Sequence, residues 1–299
     1  MIEDKSLLKK YNIVPLGYEK VKKAIIITTK DKKYVLKKRE KEFEETYNYL
    51  KSRNFHNLPE VYNLNENDLY DIYEYLDNYH LSKEERAHDL ILLTSNLHLK
   101  TTYYRNVDTD DYKKVYEELD QKIEYLTIYY KELNDLIDND IYMAPSYYLL
   151  ARNMTKIHSL LYFCKEQLDE WYNLIKDEKK ERVALVHNNL SLDHLLRNED
   201  SFLISWDKAK MNNPIYDMFY FYKNNYKELE FQYLLSLYES KYSYLESERK
   251  LLFILISLPD KISFTIDEYE NVKLVNDLLF YVYKTDYLIS PYYAKEEAK

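Results

Sequence analysis

The first 79 residues alternate short β-branched or aromatic runs with polar turns, a pattern typical of a small sheet. Ala24–Thr29 and Tyr34–Lys37 predict an antiparallel hairpin, and Glu40–Arg53 carries apolar residues at helical spacing. Pro59–Tyr62 and Leu69–Tyr73 predict two further strands. The expected order is therefore strand, strand, helix, strand, strand.

After Asp77 the apolar positions recur at helical spacing. Ser82 is the expected N-cap of a helix whose first turn is acidic. Residues 110–178 predict two or three long amphipathic helices, interrupted near Met143–Ser146, and 183–206 predict a strand, a loop and a strand. The remaining chain predicts four helices, around Tyr216–Tyr226, Glu228–Tyr244, Glu246–Leu258 and Val272–Tyr283.

These elements predict an α+β fold with two parts. We expect an N-terminal lobe over 1–77, built from a small antiparallel sheet and one helix, and a larger, mostly helical C-terminal lobe over 78–299. The change of pattern near Asp77 places the boundary between them. The strand–loop–strand segment within the second part, at 183–207, is expected to present functional groups.

Charge and cysteine usage limit the environment and the partners. The formal net charge of -9 argues against broad binding to nucleic acid or to an anionic membrane surface. Cys164 is the single cysteine, which excludes an intramolecular disulfide and a thiolate cluster. The longest strongly apolar run, Leu251–Leu258, is far shorter than a membrane span. We therefore expect a soluble, cytoplasmic protein with no membrane span.

Two residue counts are unusual. The chain has 1 glycine, Gly17, which nearly excludes a phosphate-binding loop of the usual Gly-rich kind. It also has 36 tyrosines, which fit a core whose members carry a polar hydroxyl. A tyrosine surface used for binding or crosslinking is the alternative.

The most informative segment is VALVHNNLSLDHLLRNEDSFLISWDKAKMNNPIYDMF, residues 183–219. An apolar strand that starts at Val183, a polar loop, His187–His194, and a returning apolar strand at 202–204 form a β-hairpin pattern. This stretch resembles the aminoglycoside phosphotransferase and choline kinase-like families, which share the protein-kinase fold. The pattern in those families is His-x-Asp, four residues, Asn, then Ile-Asp-Trp/Phe-Asp/Glu and Asn/Asp-Pro-x-x-Asp. The positions that match it in order are His187, Ile204, Trp206, Asp207, Asn213-Pro214 and Asp217.

Weaker likenesses extend over the chain, and the nearest is to spore-coat kinase-like proteins. Tyr34–Lys37 resembles the strand that bears the phosphate-binding lysine, so the resemblance implies that Lys37 holds nucleotide phosphates. Tyr73–Asp77 resembles the hinge whose backbone binds adenine, which makes Glu74 and Leu76 candidates for nucleotide contacts. An ordinary surface lysine is the alternative for Lys37.

The departures from this family pattern concern its chemistry. The catalytic Asp falls on Asn189, the metal-binding Asn on His194, and the principal metal-binding Asp on Ser205. Phosphoryl transfer needs a carboxylate that accepts the substrate proton and oxygen ligands for Mg²⁺. Asn189 cannot accept a proton, and His194 offers nitrogen to a metal that prefers oxygen. The resemblance gives His187 and Asp217 structural roles, since one supports the loop and the other holds its backbone.

A rebuilt metal site remains open, formed by Asp207 with His194 or Asp193. The alternative is that Asp193 is solvated and Asp207 anchors the following turn. The partner of Lys37 is expected on the next helix, among Glu42, Glu44 and Glu45, with Glu44 preferred.

Three functions fit these residues. The first is a catalytically inactive kinase-fold protein, a pseudokinase, that binds a protein or small molecule, with a spore-associated setting implied by resemblance alone. The second is a divergent ATP-dependent small-molecule phosphotransferase, and the third is a Tyr-rich structural coat protein. ATP and Mg²⁺ are the cofactors that the resemblance implies, and neither is established by the residues.

Overall fold

The computed structural model describes residues 5–39, 43–64 and 68–293. The chain forms two compact units. The first comprises 1–102 and 184–211, and the second comprises 103–183 and 212–299. The first unit therefore contains more than the predicted N-terminal lobe, because the loop after residue 186 belongs to it. The boundary near Asp77 stays a prediction.

A four-stranded antiparallel sheet follows a short N-terminal helix, α1 (Lys5–Lys10). Its strands pair in the order β1 (Gly17–Val21), β2 (Ala24–Thr28), β3 (Lys33–Lys38) and β4 (Tyr70–Glu74). Alternation along the strands turns Ile27, Leu36 and Ile72 to one face, where all three are fully buried. Leu7, Leu8 and Ile13 pack against them and complete this core.

Two predictions for this sheet need correction. β1 was not predicted, because Gly17–Val21 is short and mostly polar, and as an edge strand it needs only one neighbour. The strand predicted at Pro59–Tyr62 is reduced to a bridge between Val61 and Tyr73. Pro59 has no N–H to donate to a ladder, which limits pairing there.

Two helices of the first unit follow the predicted pattern. α2 (Phe43–Ser52) corresponds to the helix predicted from Glu40, whose first residues lie outside those that the structure describes. α3 (Lys83–Thr101) begins at Ser82, as predicted. The Ser82 hydroxyl accepts a hydrogen bond from the Glu85 N–H (3.2 Å), and the Glu85 carboxylate accepts one from the Ser82 N–H (2.9 Å). This capping box fixes where the helix starts.

The second unit is built on helices. α5 packs against α4, α8 and α9, so it forms the centre of this unit. Of the two or three long helices predicted over 110–178, two are present, and α9 extends ten residues past the predicted Tyr283 to Tyr293. The helices are α4 (Thr109–Asp138), α5 (Pro145–Ile175), α6 (Ile215–Asn225), α7 (Phe231–Glu239), α8 (Glu246–Ser257) and α9 (Glu268–Tyr293).

Five short strands complete the topology. β5 pairs with β6 and β6 with β9, whereas β7 and β8 form a hairpin of their own. The predicted hairpin between the strand at 183 and the run at 202–204 is therefore wrong, because Leu195–Arg197 supplies a closer antiparallel partner for the later strand. The strands are β5 (Tyr103–Asn106), β6 (Lys180–Val186), β7 (Leu195–Arg197), β8 (Ser201–Leu203) and β9 (Lys210–Asn212).

Tyrosine is divided between core and surface. In the second unit, the buried hydroxyls of Tyr130 and Tyr222 bond to the carbonyl of Asp260 (2.5 Å) and to the hydroxyl of Thr285 (2.8 Å). Each ring thus adds apolar volume without leaving a buried polar atom unpaired. Other tyrosines are largely exposed, among them Tyr18, Tyr104, Tyr142, Tyr162 and Tyr269.

The predicted fold class is confirmed, with a small antiparallel sheet near the N-terminus and a larger helical part after it. Within the described ranges, no helix combines the length and the apolar character needed to cross a bilayer. Cys164 is fully buried on α5, and burial raises the pKa of its thiol far above the ordinary value. A buried, protonated thiol is a poor nucleophile.

Replacing Glu248 by Ala should destabilise the protein by about 3 kcal/mol, because it leaves the guanidinium of Arg182 buried without its carboxylate. Arg182 donates from Nε to Glu248 Oε1 at 2.9 Å, and the two side chains are 12% and 4% exposed. The measurement is the denaturation midpoint in urea. Glu246→Ala, an exposed carboxylate two residues earlier on the same helix, is the control and should change stability by less than about 0.5 kcal/mol. Equal effects of the two variants would contradict this account.

Candidate functional site

His187 lies at the end of β6 and joins the two segments that carry the candidate residues. Its side chain is fully buried, and its Nε2 lies 2.9 Å from the carbonyl oxygen of Ile204. A carbonyl oxygen can only accept, so the proton of this bond is on Nε2. The imidazole also packs edge-on against Trp206, with ring centres 5.0 Å apart. The bond ties the start of the loop 187–194 to the residue before Ser205.

Trp206 fixes the position of the residues on either side of it. Its indole is buried, donates to the carbonyl of Leu203 (2.9 Å) and packs against Phe55, with ring centres 6.0 Å apart. It begins a single 3₁₀ turn, Trp206–Lys208, so Asp207 leaves the core immediately after it. The predicted carboxylate is thus held on a rigid turn.

Asp207 and Lys37 lie together. The Lys37 ammonium is 3.7 Å from a carboxylate oxygen of Asp207, and each side chain is 24% exposed. Lys37 occupies β3 next to the buried Leu36, and alternation along the strand turns it to the opposite face from that core residue. The resemblance assigned Lys37 to phosphate and Asp207 to metal, whereas the structure pairs the two side chains.

The loop 187–194 holds its shape through local bonds. His194 Nδ1 lies 2.7 Å from the carbonyl oxygen of Asn189, so this nitrogen carries the proton of the hydrogen bond. The His194 carbonyl accepts from the N–H of Ile204 (3.0 Å). Asn188 has a left-handed backbone, with φ of 56°, a conformation that asparagine tolerates better than most residues. The position of Asn189, where the resemblance implies the catalytic base, is therefore fixed by hydrogen bonds within its own loop.

Ser205 also has a left-handed backbone, with φ of 67° and ψ of 57°. A non-glycine residue in this region costs about 1 kcal/mol or more, and it persists where the surroundings determine it. Here the flanking residues do so, because the Ile204 carbonyl is bonded to His187 and Trp206 is buried. The backbone at Ser205 is specified although its side chain does not cap the following turn.

Asp193 takes part in a contact that the sequence did not predict. Its carboxylate lies 3.0 Å from the ammonium of Lys22, and the pKa of Asp193 is lowered by this hydrogen bond. Lys22 is in the turn between β1 and β2 and has φ of 51°. Both side chains are mostly exposed, so the pair contributes little stability. The two residues are 171 positions apart, and no local pattern joins them.

Arg86 is a second residue that sequence reasoning missed. From α3 its guanidinium donates to the carbonyl oxygens of Leu192 and Leu195, the second at 3.0 Å. It therefore clamps the end of the loop that holds His194. A lone arginine on an amphipathic helix gives no signal of this role in the sequence.

The nucleotide candidates are less connected. Glu74, in β4, donates its N–H to the Glu60 carbonyl (3.0 Å) and accepts from the Glu60 N–H through its side chain (3.0 Å). Its own N–H is thus engaged, whereas Leu76 follows the strand and is half-buried. Lys37 forms an ion pair with Asp207. Glu42 lies outside the described residues, so the predicted glutamate partner of Lys37 stays a prediction.

Asp217 lies in the second unit, in the first turn of α6, and is almost fully buried. A carboxylate there interacts favourably with the helix dipole. Burial raises the pKa of Tyr238 and of Tyr244, and the nearby charge of Asp217 adds to both shifts. Its predicted role in holding the loop 187–194 stays a prediction.

The metal candidates do not form a site suited to Mg²⁺. His194 supplies one nitrogen, Ser205 a neutral hydroxyl, and Asp207 a carboxylate that already faces the Lys37 ammonium. Mg²⁺ requires hard oxygen ligands in octahedral geometry. Over the described part of the chain, no group of three or more His, Cys, Asp or Glu side chains is arranged to hold a metal ion.

No protein-family model matches the sequence, and no curated protein matches it either. Solved structures do. An aminoglycoside phosphotransferase from Alicyclobacillus acidocaldarius overlaps 100% of this chain and 98% of its own length, with a TM-score of 0.67 and 11% identity. The chain has the protein-kinase-like fold. The predicted resemblance to aminoglycoside phosphotransferases is thereby confirmed at the level of the fold.

A choline kinase from Streptococcus pneumoniae is also similar, with 14% identity, a TM-score of 0.49, and overlap of 96% of this chain and 97% of its own. A choline/ethanolamine kinase family protein from Mesorhizobium loti has 13% identity, a TM-score of 0.46, and overlap of 97% and 95%. The argument for the fold rests on the phosphotransferase from Alicyclobacillus.

Replacing His187 by Ala should destabilise the protein by about 2–4 kcal/mol, since it leaves the Ile204 carbonyl unpaired and opens a cavity beside Trp206. The measurement is the free energy of unfolding in urea. His56→Ala, at an exposed position of the same unit, is the matched control and should change it by less than about 0.5 kcal/mol. If the two variants are equally stable, His187 does not support the loop.

Proposed function

We propose that this protein is a pseudokinase, a kinase-fold protein that no longer transfers phosphate and acts by binding a protein or a small molecule. The observation that carries the proposal is the loop 187–194 with the turn after it. Their backbone is held by His187 and Trp206, yet Asn189 and Ser205 stand at the positions where the resemblance implies carboxylates.

The chemistry of these side chains supports inactivity. Transfer of a phosphoryl group needs a group that accepts the proton of the attacking hydroxyl, and an amide such as Asn189 has no site basic enough. It also needs a cation that neutralises the charge developing on the phosphate oxygens. Ser205 offers no charge to hold such a cation.

The pair of Lys37 and Asp207 supports the same conclusion. In an active kinase-like site these charges act on different partners, the lysine on phosphate and the carboxylate on metal. At 3.7 Å each charge here compensates the other, and both are partly withdrawn from solvent. Binding of Mg-ATP would have to separate them, which costs part of its binding energy.

The turn between β1 and β2 is a further difference from an ATP-binding site. Phosphate-covering loops use glycine so that backbone N–H groups can approach the phosphates closely. This turn consists of Lys22 and Lys23, and Lys22 is bonded to Asp193 of the loop. A spore-coat setting belongs to the same proposal and is supported by the resemblance alone.

The divergent phosphotransferase is the alternative that an experiment must exclude. It would require Asp207 and His194 to bind metal, and the Lys37–Asp207 pair does not favour it. The Tyr-rich coat protein finds some support in the exposed tyrosines, although the core uses many of the others.

The wild-type protein should consume no ATP with either Mg²⁺ or Mn²⁺, because the side chain at the position of the catalytic base, Asn189, is an amide that cannot accept the proton. Turnover is measured as ADP released, and binding as the shift in melting temperature. A nucleotide present at a hundred times its Kd would stabilise the protein by about 2.7 kcal/mol. A shift without turnover would support a pseudokinase whose ligand is the nucleotide, and no shift would support one with a different ligand.

The triple variant Asn189→Asp, His194→Asn and Ser205→Asp is the control. Gain of ATP consumption in this variant would show that the three side chains account for the inactivity. Metal-dependent turnover by the wild type that is lost in Asp207→Ala would overturn the proposal and establish the phosphotransferase.

A further inference from the structure

A set of large apolar side chains is exposed in the second unit, on two neighbouring segments. Ile141 and Tyr142, between α4 and α5, are 87% and 90% exposed, and Ile266, just before α9, is fully exposed. Exposed apolar side chains are common singly, but a cluster marks an interaction site. The members of this apolar patch are Leu136, Ile141, Tyr142, Met143, Ile266 and Tyr269.

Direct bonds hold the two segments side by side. Ser146, in the first turn of α5, donates its N–H and its hydroxyl to the two carboxylate oxygens of Glu268, at 2.6 and 3.1 Å. The rings of Tyr147 and Phe264 pack edge to face, with centres 5.3 Å apart. The apolar side chains of both segments therefore belong to one end of the helical unit.

The segment before α9 has a defined shape. Asn271 accepts from the N–H of Thr265 (2.7 Å) and donates to the carbonyl of Thr265 (3.1 Å) and to Glu268 (3.3 Å). The position of Ile266 is thus set by bonds on both sides of it. A surface that is already ordered loses less conformational entropy when a partner binds.

The charged side chains within the two segments have one sign, and the ammonium of Lys261, which flanks the second segment, interacts with one of them, Glu132. Residues 132–146 and 262–272 contain no lysine or arginine, and the nearest basic residues in sequence, Lys131, Lys261 and Lys273, lie outside both segments. The pKa of Glu268 is lowered by the N–H of Ser146, so this carboxylate is ionised at neutral pH. The carboxylates of the two segments are Glu132, Asp135, Asp138, Asp140, Asp267, Glu268 and Glu270.

We propose that the apolar patch binds a basic amphipathic segment of another protein, one that places apolar side chains on the patch and lysine or arginine against its carboxylates. The negative charge of the carboxylates around the patch favours a basic partner. An anionic bilayer would be repelled, and a second copy of this chain, whose net charge is -9, would bring like charges together. The proposal concerns a surface in the second unit and does not depend on the chemistry of the loop 187–194.

The test uses a fluorescein-labelled synthetic helical peptide of leucine and lysine, with leucine along one face. Its binding to the full chain is followed by fluorescence anisotropy. Two control peptides replace the lysines by glutamate or the leucines by serine. We expect binding of the leucine–lysine peptide alone, and its affinity should fall as salt is added because the rim charges are exposed.

Three variants locate the binding site. Ile141→Ser with Tyr142→Ser should weaken binding at least tenfold, as should Ile266→Ser on the second segment, since central apolar contacts dominate such interfaces. Asp135→Asn with Glu270→Gln should weaken binding and reduce its salt dependence. Leu174→Ser, an exposed apolar position elsewhere on α5, is the matched control and should bind as the wild type does.

Several results would overturn the proposal. They are the absence of binding at about 1 mM peptide, equal binding by wild type and all variants, and equal binding of the peptide that carries serine for leucine. Sedimentation that shows a dimer lost in Ile141→Ser with Tyr142→Ser would assign the patch to a second copy instead. Melting temperatures of the variants verify that each is folded.

Discussion

The buried hydrogen bond from His187 to the carbonyl of Ile204 is the contact on which the candidate site depends. It joins the end of β6 to the segment before Ser205, and the packing of Trp206 against the same imidazole fixes the 3₁₀ turn that begins there. Because the bond uses a backbone carbonyl, it is indifferent to the side chains at positions 189 and 205. The loop can therefore keep its conformation while the groups that it presents change.

This separation of backbone from chemistry explains the combination of features at the site. Ser205 keeps a left-handed conformation, and Asp207 is still presented by its turn, but the carboxylate meets Lys37. An ion pair of this kind offsets part of the desolvation cost of its two half-buried charges.

Local patterns accounted for much of the fold. Alternation in Ala24–Thr29 and helical spacing around the cap at Ser82 are short-range signals, and the structure follows both. The sequence did not predict β1, because this polar edge strand shows no alternation of apolar and polar residues. It did not predict the pairing of β7 with β8 either, because those strands have three residues each. For the candidate site, the order of the residues that match the family pattern singled out His187, Trp206 and Asp207.

Contacts between residues that are far apart in the sequence could not be predicted from the sequence. Two examples are the ion pair of Lys22 with Asp193 and the hydrogen bonds of Arg86 to the end of the loop 187–194. Both depend on how distant segments of the chain come together, and a single charged residue in a sequence does not indicate such a contact. The pairing of Lys37 with Asp207 is a similar case, since the resemblance assigned each residue to a ligand. The apolar patch was missed because Ile141 and Ile266 look like ordinary core residues until their exposure is known.

The backbone shows how a chain with almost no glycine forms tight turns. Among the described residues, left-handed conformations occur at Asn12, Lys22, Asn54, Asn188 and Ser205. Gly17 lies in a strand with ordinary φ, and a Cβ there would meet nothing within 4 Å, so the one glycine fills a place where alanine would fit. Each residue that carries a Cβ narrows the range of shapes open to the denatured chain. The backbone strain at these five residues is thus offset, because a chain with few glycines loses less conformational entropy when it folds.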